Sequence, residues 1–170
     1  MDYKSNIFTE VNNNKNNFSL SGEFYKENTS VLIIKVSGYL ETANSDIFSK
    51  SILKTIDDNN DIKIFIIDLK YLNYISSTGI GALTIILNEV KKQKIGLYLI
   101  NLNEKALSII ELLGFNKFFN ILDSEEEIDN IINKIKSNLA FTCNKCSKKV
   151  IVPKPGKYKC PACNNLMNIK

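Results

Sequence analysis

The chain has 170 residues, 44% hydrophobic and 24% charged, which suits one ordinary globular domain plus a small appendage. It holds no histidine, and all 22 basic residues are lysine. That excludes His-activated nucleophiles, His general bases, His metal ligands and bidentate arginine clamps on phosphate. The net charge of +4 is uneven, since residues 141–170 carry seven lysines and no acid, leaving a mildly acidic body with a basic tail. No apolar run approaches the roughly 18 residues of a membrane helix, and the start MDYKSNIFTEV lacks the basic-then-apolar plan of a secretory signal. A cytoplasmic protein with reduced cysteines and no membrane insertion is expected.

In chain order, NNNKNN (Asn12 to Asn17) is a polar low-complexity patch, read as part of a flexible lead over residues 1–17. FSLSGEFYKE, from Phe18, alternates and then meets the apolar VLIIKVSG (Val31 to Gly38), which predicts two neighbouring antiparallel strands. A helix follows, with Ile47, Phe48, Ile52 and Ile56 on its apolar face. The β-branched run Ile62 to Leu69 predicts a strand covered on both faces or central in a sheet. After the hydroxyl triplet Ser76-Ser77-Thr78, a second helix carries Ile80, Leu83, Leu87 and Val90 on one stripe. Ile95 to Leu102 predicts another buried strand, Asn103 caps a helix that stops at Gly114, and Phe118 to Leu122 a short strand. Ser124 and Glu127 have the spacing of a capping box opening the last helix, whose Ile128, Ile131, Ile132, Ile135 and Leu139 form a single apolar face. The order β-β-α-β-α-β-α-β-α predicts an α/β domain over residues 18–139, with helices packed on a mixed sheet. Beyond Ala140 the periodicity stops, prolines appear and all four cysteines follow, so residues 141–170 read as a separate unit.

The triplet sits between a strand and a helix that begins at a glycine. One hydroxyl there serves as an N-cap, but capping does not require three. SSTGIG lacks the G-x-x-x-x-G-K-[ST] spacing of a phosphate loop, and no histidine or suitably placed lysine exists to activate a serine. Modification stays open beside capping. A phosphate adds about −1.5 to −2 charge at pH 7, which the N-terminal end of a helix dipole tolerates. A partner docked over the same turn has to desolvate that charge, at a cost of several kcal/mol, in the order-of-magnitude sense, unless a basic residue answers it.

IDLKYLNYISSTGIGALTIIL resembles the signature segment of STAS domains, the module shared by sulphate transporters and anti-sigma-factor antagonists. Asp68, Ile75, Ser76, Ser77, Thr78, Gly79 and Ile80 fall on the pattern of a strand ending in an acid, a short turn, and D/S-S-S/T-G-hydrophobic opening the second helix. Upstream, VSGYLETANS resembles the family's G-x-L-D strand end and helix entry through Gly38, Leu40, Glu41 and Ala43. The resemblance implies that Ser77 is the hydroxyl phosphorylated by a kinase-like anti-sigma factor or a related serine kinase. It implies that the unphosphorylated form binds that partner and frees a sigma factor or another client, and that a phosphatase resets the switch. Glu41, Ser76, Ser77, Thr78 and Gly79 are then the partner-facing residues, with Thr78 read as the pure cap. Ser76 stands where many antagonists carry aspartate. The expected protein is a binding module and not an enzyme. The alternatives are a constitutive STAS scaffold or transporter-ATPase subunit, and a nucleic-acid-binding regulator acting through the tail.

CNKC (Cys143, Cys146) and CPAC (Cys160, Cys163) are separated by 13 residues. Two C-x-x-C knuckles match four-thiolate coordination of a structural Zn²⁺, with a rubredoxin-like iron site as the competitor using the same ligands. The intervening SKKVIVPKPGKYK reads as a β-hairpin, which makes the unit a zinc ribbon. With four protein ligands the site is closed, so zinc catalysis is not indicated. The ribbon's lysines could follow nucleic-acid phosphates, dock an acidic protein, or serve only as a solvated surface; its aromatic complement is Phe141 and Tyr158 alone.

Overall fold

The computed structural model describes residues 11–13, 17–137, 139–152 and 156–169. The chain divides into two compact units, Met1–Asp123 and Ser124–Lys170.

The first unit is built on a six-stranded sheet in the order β1 (Val11–Asn13), β2 (Phe18–Phe24), β3 (Val31–Leu40), β4 (Ile64–Ile75), β5 (Gly96–Ile100) and β6 (Asn120–Leu122). The first three strands pair antiparallel, and β3 to β6 pair parallel. Parallel neighbours cannot be joined by a tight turn, so a helix crosses over in each gap. These are α1 (Thr42–Asp57), α2 (Ser77–Lys92) and α3 (Glu104–Leu112). The mixed sheet and the element order are those the sequence predicts. Val11–Asn13, within the expected flexible lead, instead pair with Phe18–Leu20 as an edge strand, while residues 1–10 and 14–16 lie outside the described residues.

The β-branched density of β4 has the consequence expected of it. Ile64, Phe65, Ile66 and Ile67 are all buried, so both faces of the strand are covered. Phe65, Ile67 and Leu69 join Leu32, Ile34 and Val36 of β3 and Leu97 and Leu99 of β5 in the main core. Phe48, Ile52 and Ile56 of α1 and Ile80, Leu83, Leu87 and Val90 of α2 complete it. Each such fully buried side chain contributes about 1.5–3 kcal/mol of transfer free energy. Ile47 departs from the expected face and is 40% exposed, because it precedes the i, i+4, i+8 stripe of Phe48, Ile52 and Ile56 by one residue, about 100° around the helix.

Asp68 does not end its strand. It is the last β4 residue paired with β5, opposite Ile100, but β4 continues along β3 to Ile75. The acid marks where one neighbour is lost rather than where the strand stops. Its Oδ1 accepts from the Lys70 N–H at 3.0 Å and from Asn101 Nδ2 at 2.9 Å. Asn103 caps α3 as expected, its Oδ1 accepting from the Ala106 N–H at 2.9 Å, and Gly114 follows the helix in the left-handed region at φ 74°.

The second unit opens with α4 (Glu125–Ser137), one helix earlier than the change of sequence pattern after Ala140. Periodicity identifies an amphipathic helix but not the surface it faces. Ile128 and Ile132 are buried at i, i+4 and Ile131 is half-buried, but Ile135 is 46% exposed and does not extend the buried stripe. Four short strands follow: β7 (Leu139–Thr142), β8 (Lys149–Val152), β9 (Gly156–Lys159) and β10 (Leu166–Ile169). The expected hairpin between the two cysteine pairs does not form. β7 pairs with β8 and β9 with β10, as two separate antiparallel sheets. Each C-x-x-C is itself the turn of a hairpin, which leaves β8 and β9 in different sheets. The Pro153–Pro155 part of the predicted turn lies outside the described residues.

Candidate functional site

Two sites emerge, one in each unit. The first lies where β3 and β4 end side by side, with Leu40 paired to Ile75. The Ser76 N–H donates to the Leu40 carbonyl at 2.9 Å, which holds the start of α2 against the end of β3. Only glycine fits at position 79. A Cβ there would lie 2.6 Å from the Leu40 carbonyl oxygen and 2.9 Å from its Cγ.

The three hydroxyls have different environments. Ser76, not Thr78, is the N-cap: its backbone is extended (φ −91°, ψ 170°) and its Oγ accepts from the Gly79 N–H at 3.2 Å. Thr78 lies one turn-position inside the helix, and its Oγ1 is 2.7 Å from Ser76 Oγ and 2.9 Å from Thr42 Oγ1. A chain of three hydroxyls thus links the first turn of α1 to the cap of α2. Ser77, the first helical residue, is exposed and stands outside this chain, with no side-chain hydrogen bond to any described residue.

Glu41 is the N-cap residue of α1, and its N–H donates to Asn44 Oδ1 at 2.9 Å. Asn44 is fully buried, and its Nδ2 donates to the Tyr39 carbonyl at 2.7 Å. Neither α1 nor α2 carries an acid in its first turn. Two helix N-termini meet at the Thr42–Thr78 contact, an environment that favours added negative charge. The structure therefore gathers Glu41, Ser76, Ser77, Thr78 and Gly79 at one corner. Beside them it places residues that sequence reasoning passed over: Thr42, and the cross-strand pair Tyr39 and Tyr74, which are 41% and 47% exposed. Thr42 adjoins Glu41 in the motif and could have been suspected. The tyrosine pair depends on the register between β3 and β4, which no local pattern encodes. A groove lined by Asp46, Ser49, Thr78 and Ile85 runs between α1 and α2 from this corner.

The second site is the cysteine cluster. The four sulfurs lie within 4.8 Å of one another, with Cys143–Cys163 and Cys146–Cys160 each at 3.6 Å, and all four thiols are free of disulfides. A tetrahedron of sulfurs about 2.3 Å from a central ion has edges of about 3.8 Å, so the arrangement fits a four-thiolate metal. The two knuckles are built alike. The Cys143 N–H donates to the Lys148 carbonyl at 2.9 Å and the Ser147 N–H to the Cys143 carbonyl at 2.9 Å; in the other knuckle Cys160 and Asn165, and Asn164 and Cys160, make the same bonds at 2.8 Å. Ser147 and Asn164 occupy equivalent left-handed positions at φ 57° and 59°. The Lys145 and Cys146 N–H groups aim at the Cys143 sulfur and hold its thiol down to about 6. The Ala162 N–H, with that of Cys163, lowers Cys160 in the same way. Cys163 receives one N–H, from Asn165, against which burial and the neighbouring sulfurs push it up to about 12. Backbone donors that favour thiolate at the first cysteine of each knuckle are what a cation site needs.

The family profile described as the STAS domain matches residues 25–128, more than half of the chain. The chain belongs to the STAS domain family. The anti-sigma-B factor antagonist of Bacillus subtilis (strain 168) is 24% identical to it over 101 residues, covering 59% of this chain and 90% of that protein. Among solved structures, the anti-sigma factor antagonist SpoIIAA in its unphosphorylated form superposes with a TM-score of 0.55 at 17% identity, covering 68% of this chain and 96% of that one. An anti-sigma factor antagonist from Mycobacterium paratuberculosis gives 0.58 at 16% identity, over 68% and 93%. The murine Slc26a9 anion transporter gives 0.51 at 21% identity, over 56% of this chain and 16% of that one. At these identities the structural likeness is one of fold. The STAS match stops before the cysteines.

Proposed function

We propose that this STAS protein is an anti-sigma-factor antagonist of the phosphorylation-switched kind, a cytoplasmic binding module and not an enzyme. The observation that carries the reading is the division of labour in the triplet. Ser76 and Thr78 are hydrogen-bonded into the helix cap, while the Ser77 hydroxyl is exposed and outside that chain. A kinase can reach Ser77 without dismantling the start of α2, and a phosphate there lies at the helix N-terminus, whose dipole tolerates it. The unphosphorylated corner, Glu41 with Ser76, Ser77, Thr78 and Gly79, binds a kinase-like anti-sigma factor or related serine kinase and so frees a sigma factor or other client. A phosphatase reverses the modification. The exposed Tyr39 and Tyr74 extend that surface with the rigid aromatic area that protein interfaces favour. In the second unit, Cys143, Cys146, Cys160 and Cys163 hold a structural Zn²⁺, which makes that segment a zinc ribbon.

Ser77→Ala and Ser77→Asp forms of the whole protein, used as baits in native lysate, test the switch. Ser77→Ala should retain a kinase-fold protein that Ser77→Asp loses, with the two baits unfolding at the same urea concentration. Capture of the same proteins by both baits would overturn the switch and favour a constitutive scaffold.

A further inference from the structure

Along β9, Lys157 and Lys159 are exposed on either side of the half-buried Tyr158. Their cross-strand neighbours on β10, Asn168 and Leu166, are exposed as well, Leu166 by 63%. One face of this hairpin thus presents two lysines, an amide and an apolar side chain. Lys145, Lys148 and Lys149 are exposed around the first knuckle, and residues 141–170 contain no acid. Among the described residues no ion pair engages any of the five. Four thiolates around a divalent ion offset only two of the seven lysine charges of residues 141–170, so the segment stays basic.

Side chains two residues apart on a strand project about 6.6–6.8 Å apart. Phosphates on one duplex strand advance about 3.4 Å along the helix axis and lie farther apart than that through space, so Lys157 and Lys159 can each meet one of two neighbouring phosphates. A protein surface of scattered carboxylates has no such repeat. We propose that the exposed face of the β9–β10 hairpin binds the phosphate backbone of nucleic acid, without reading its sequence. Lysine serves as a point charge for phosphate, whereas the bidentate arginine contact that most often reads a guanine has no donor in this chain. Tyr158 and Phe141 are both half-buried and offer no open stacking platform. The inference is independent of the Ser77 switch, which sits in the other unit and is read by a different assay.

Fluorescence anisotropy of the full-length zinc-loaded protein, with a short labelled DNA duplex and an RNA of the same sequence, tests it. The titration runs from about 50 to about 200 mM salt, over which each neutralised duplex phosphate adds about 0.9 to the slope of log affinity against log salt. Lys157→Gln with Lys159→Gln should lower that slope by about two and remove roughly tenfold of the affinity lost across the range. Lys91→Gln with Lys94→Gln, on the first unit, should leave both unchanged. The zinc content of each variant, measured alongside, establishes that the hairpin is intact. Salt-dependent binding of either probe that weakens in the β9 variant supports the proposal. No binding at the lowest salt, or equal binding by wild type and an intact β9 variant, overturns it. Displacement of the probe by polyglutamate as readily as by unlabelled duplex also overturns it, assigning the face to acidic proteins instead.

Discussion

Gly79 and Ser76 do separable work at the start of α2. A methyl at position 79 would have to push the Leu40 carbonyl, a backbone atom that is itself bonded to the Ser76 N–H. Gly79→Ala should therefore cost about 1–3 kcal/mol, visible as a lower urea midpoint; an unchanged midpoint would mean that α2 shifts freely away from β3. Ser76→Ala removes the cap and should cost about 1 kcal/mol, whereas Ser77→Ala should stay within about 0.5 kcal/mol of wild type. Equal losses at the two serines would show that Ser77 shares in the cap. Three successive hydroxyls present the same chemistry to a reader of the sequence. Which one caps is decided by the residue at which the backbone turns helical, and that depends on how β4 leaves the sheet.

At the scale of elements, period and propensity were enough to locate β2 to β6 and α1 to α3, but not the edge strand β1 nor how far the elements extend. The Ile62 to Leu69 run announces a buried strand, yet pairing with β3 carries β4 on through the half-polar stretch to Ile75. The knuckle hairpins show the same limit. Each pair of cysteines is recognisable by spacing, whereas the assignment of β8 to β7 and β9 to β10 follows from two equivalent turns that need a left-handed residue at Ser147 and at Asn164. The left-handed conformation costs a β-branched residue most and glycine least. Ser147→Val should accordingly lower the chelator concentration that strips the metal, and Ser147→Gly should not. If valine has no effect, the turn is not holding the site.

For the whole molecule, the two units differ in what holds them. The first has a continuous core drawn from sheet and helices. The cysteine-bearing hairpins have a buried cluster of Cys143, Val150, Val152, Cys160, Met167 and Ile169, of which two members belong to the four-cysteine site. So small an apolar cluster does not offset the entropy of ordering the hairpins without a metal. Removing the ion with a strong chelator should collapse the NMR dispersion of β7–β10 while the unfolding midpoint of the α/β unit stays in place. Ribbon resonances that survive complete metal removal would refute the structural role. No helix among the described residues is long and apolar enough to cross a membrane.

The sequence by itself determined the strand and helix order, the apolar stripes of α1 and α2, the two C-x-x-C knuckles and the STAS signature, because each is a pattern of neighbours within a few residues. Tertiary structure alone decided that Ser76 is the cap while the Ser77 side chain bonds to no described residue, that Thr42 reaches Thr78 across 36 positions, that Tyr39 lies beside Tyr74, and that the hairpins close on their own knuckles. Those outcomes depend on strand register and on the close approach of α2 to the end of β3, which the missing Cβ at Gly79 allows. Local periodicity carries no record of such approaches, since it is the same whichever partner the strand or helix finds.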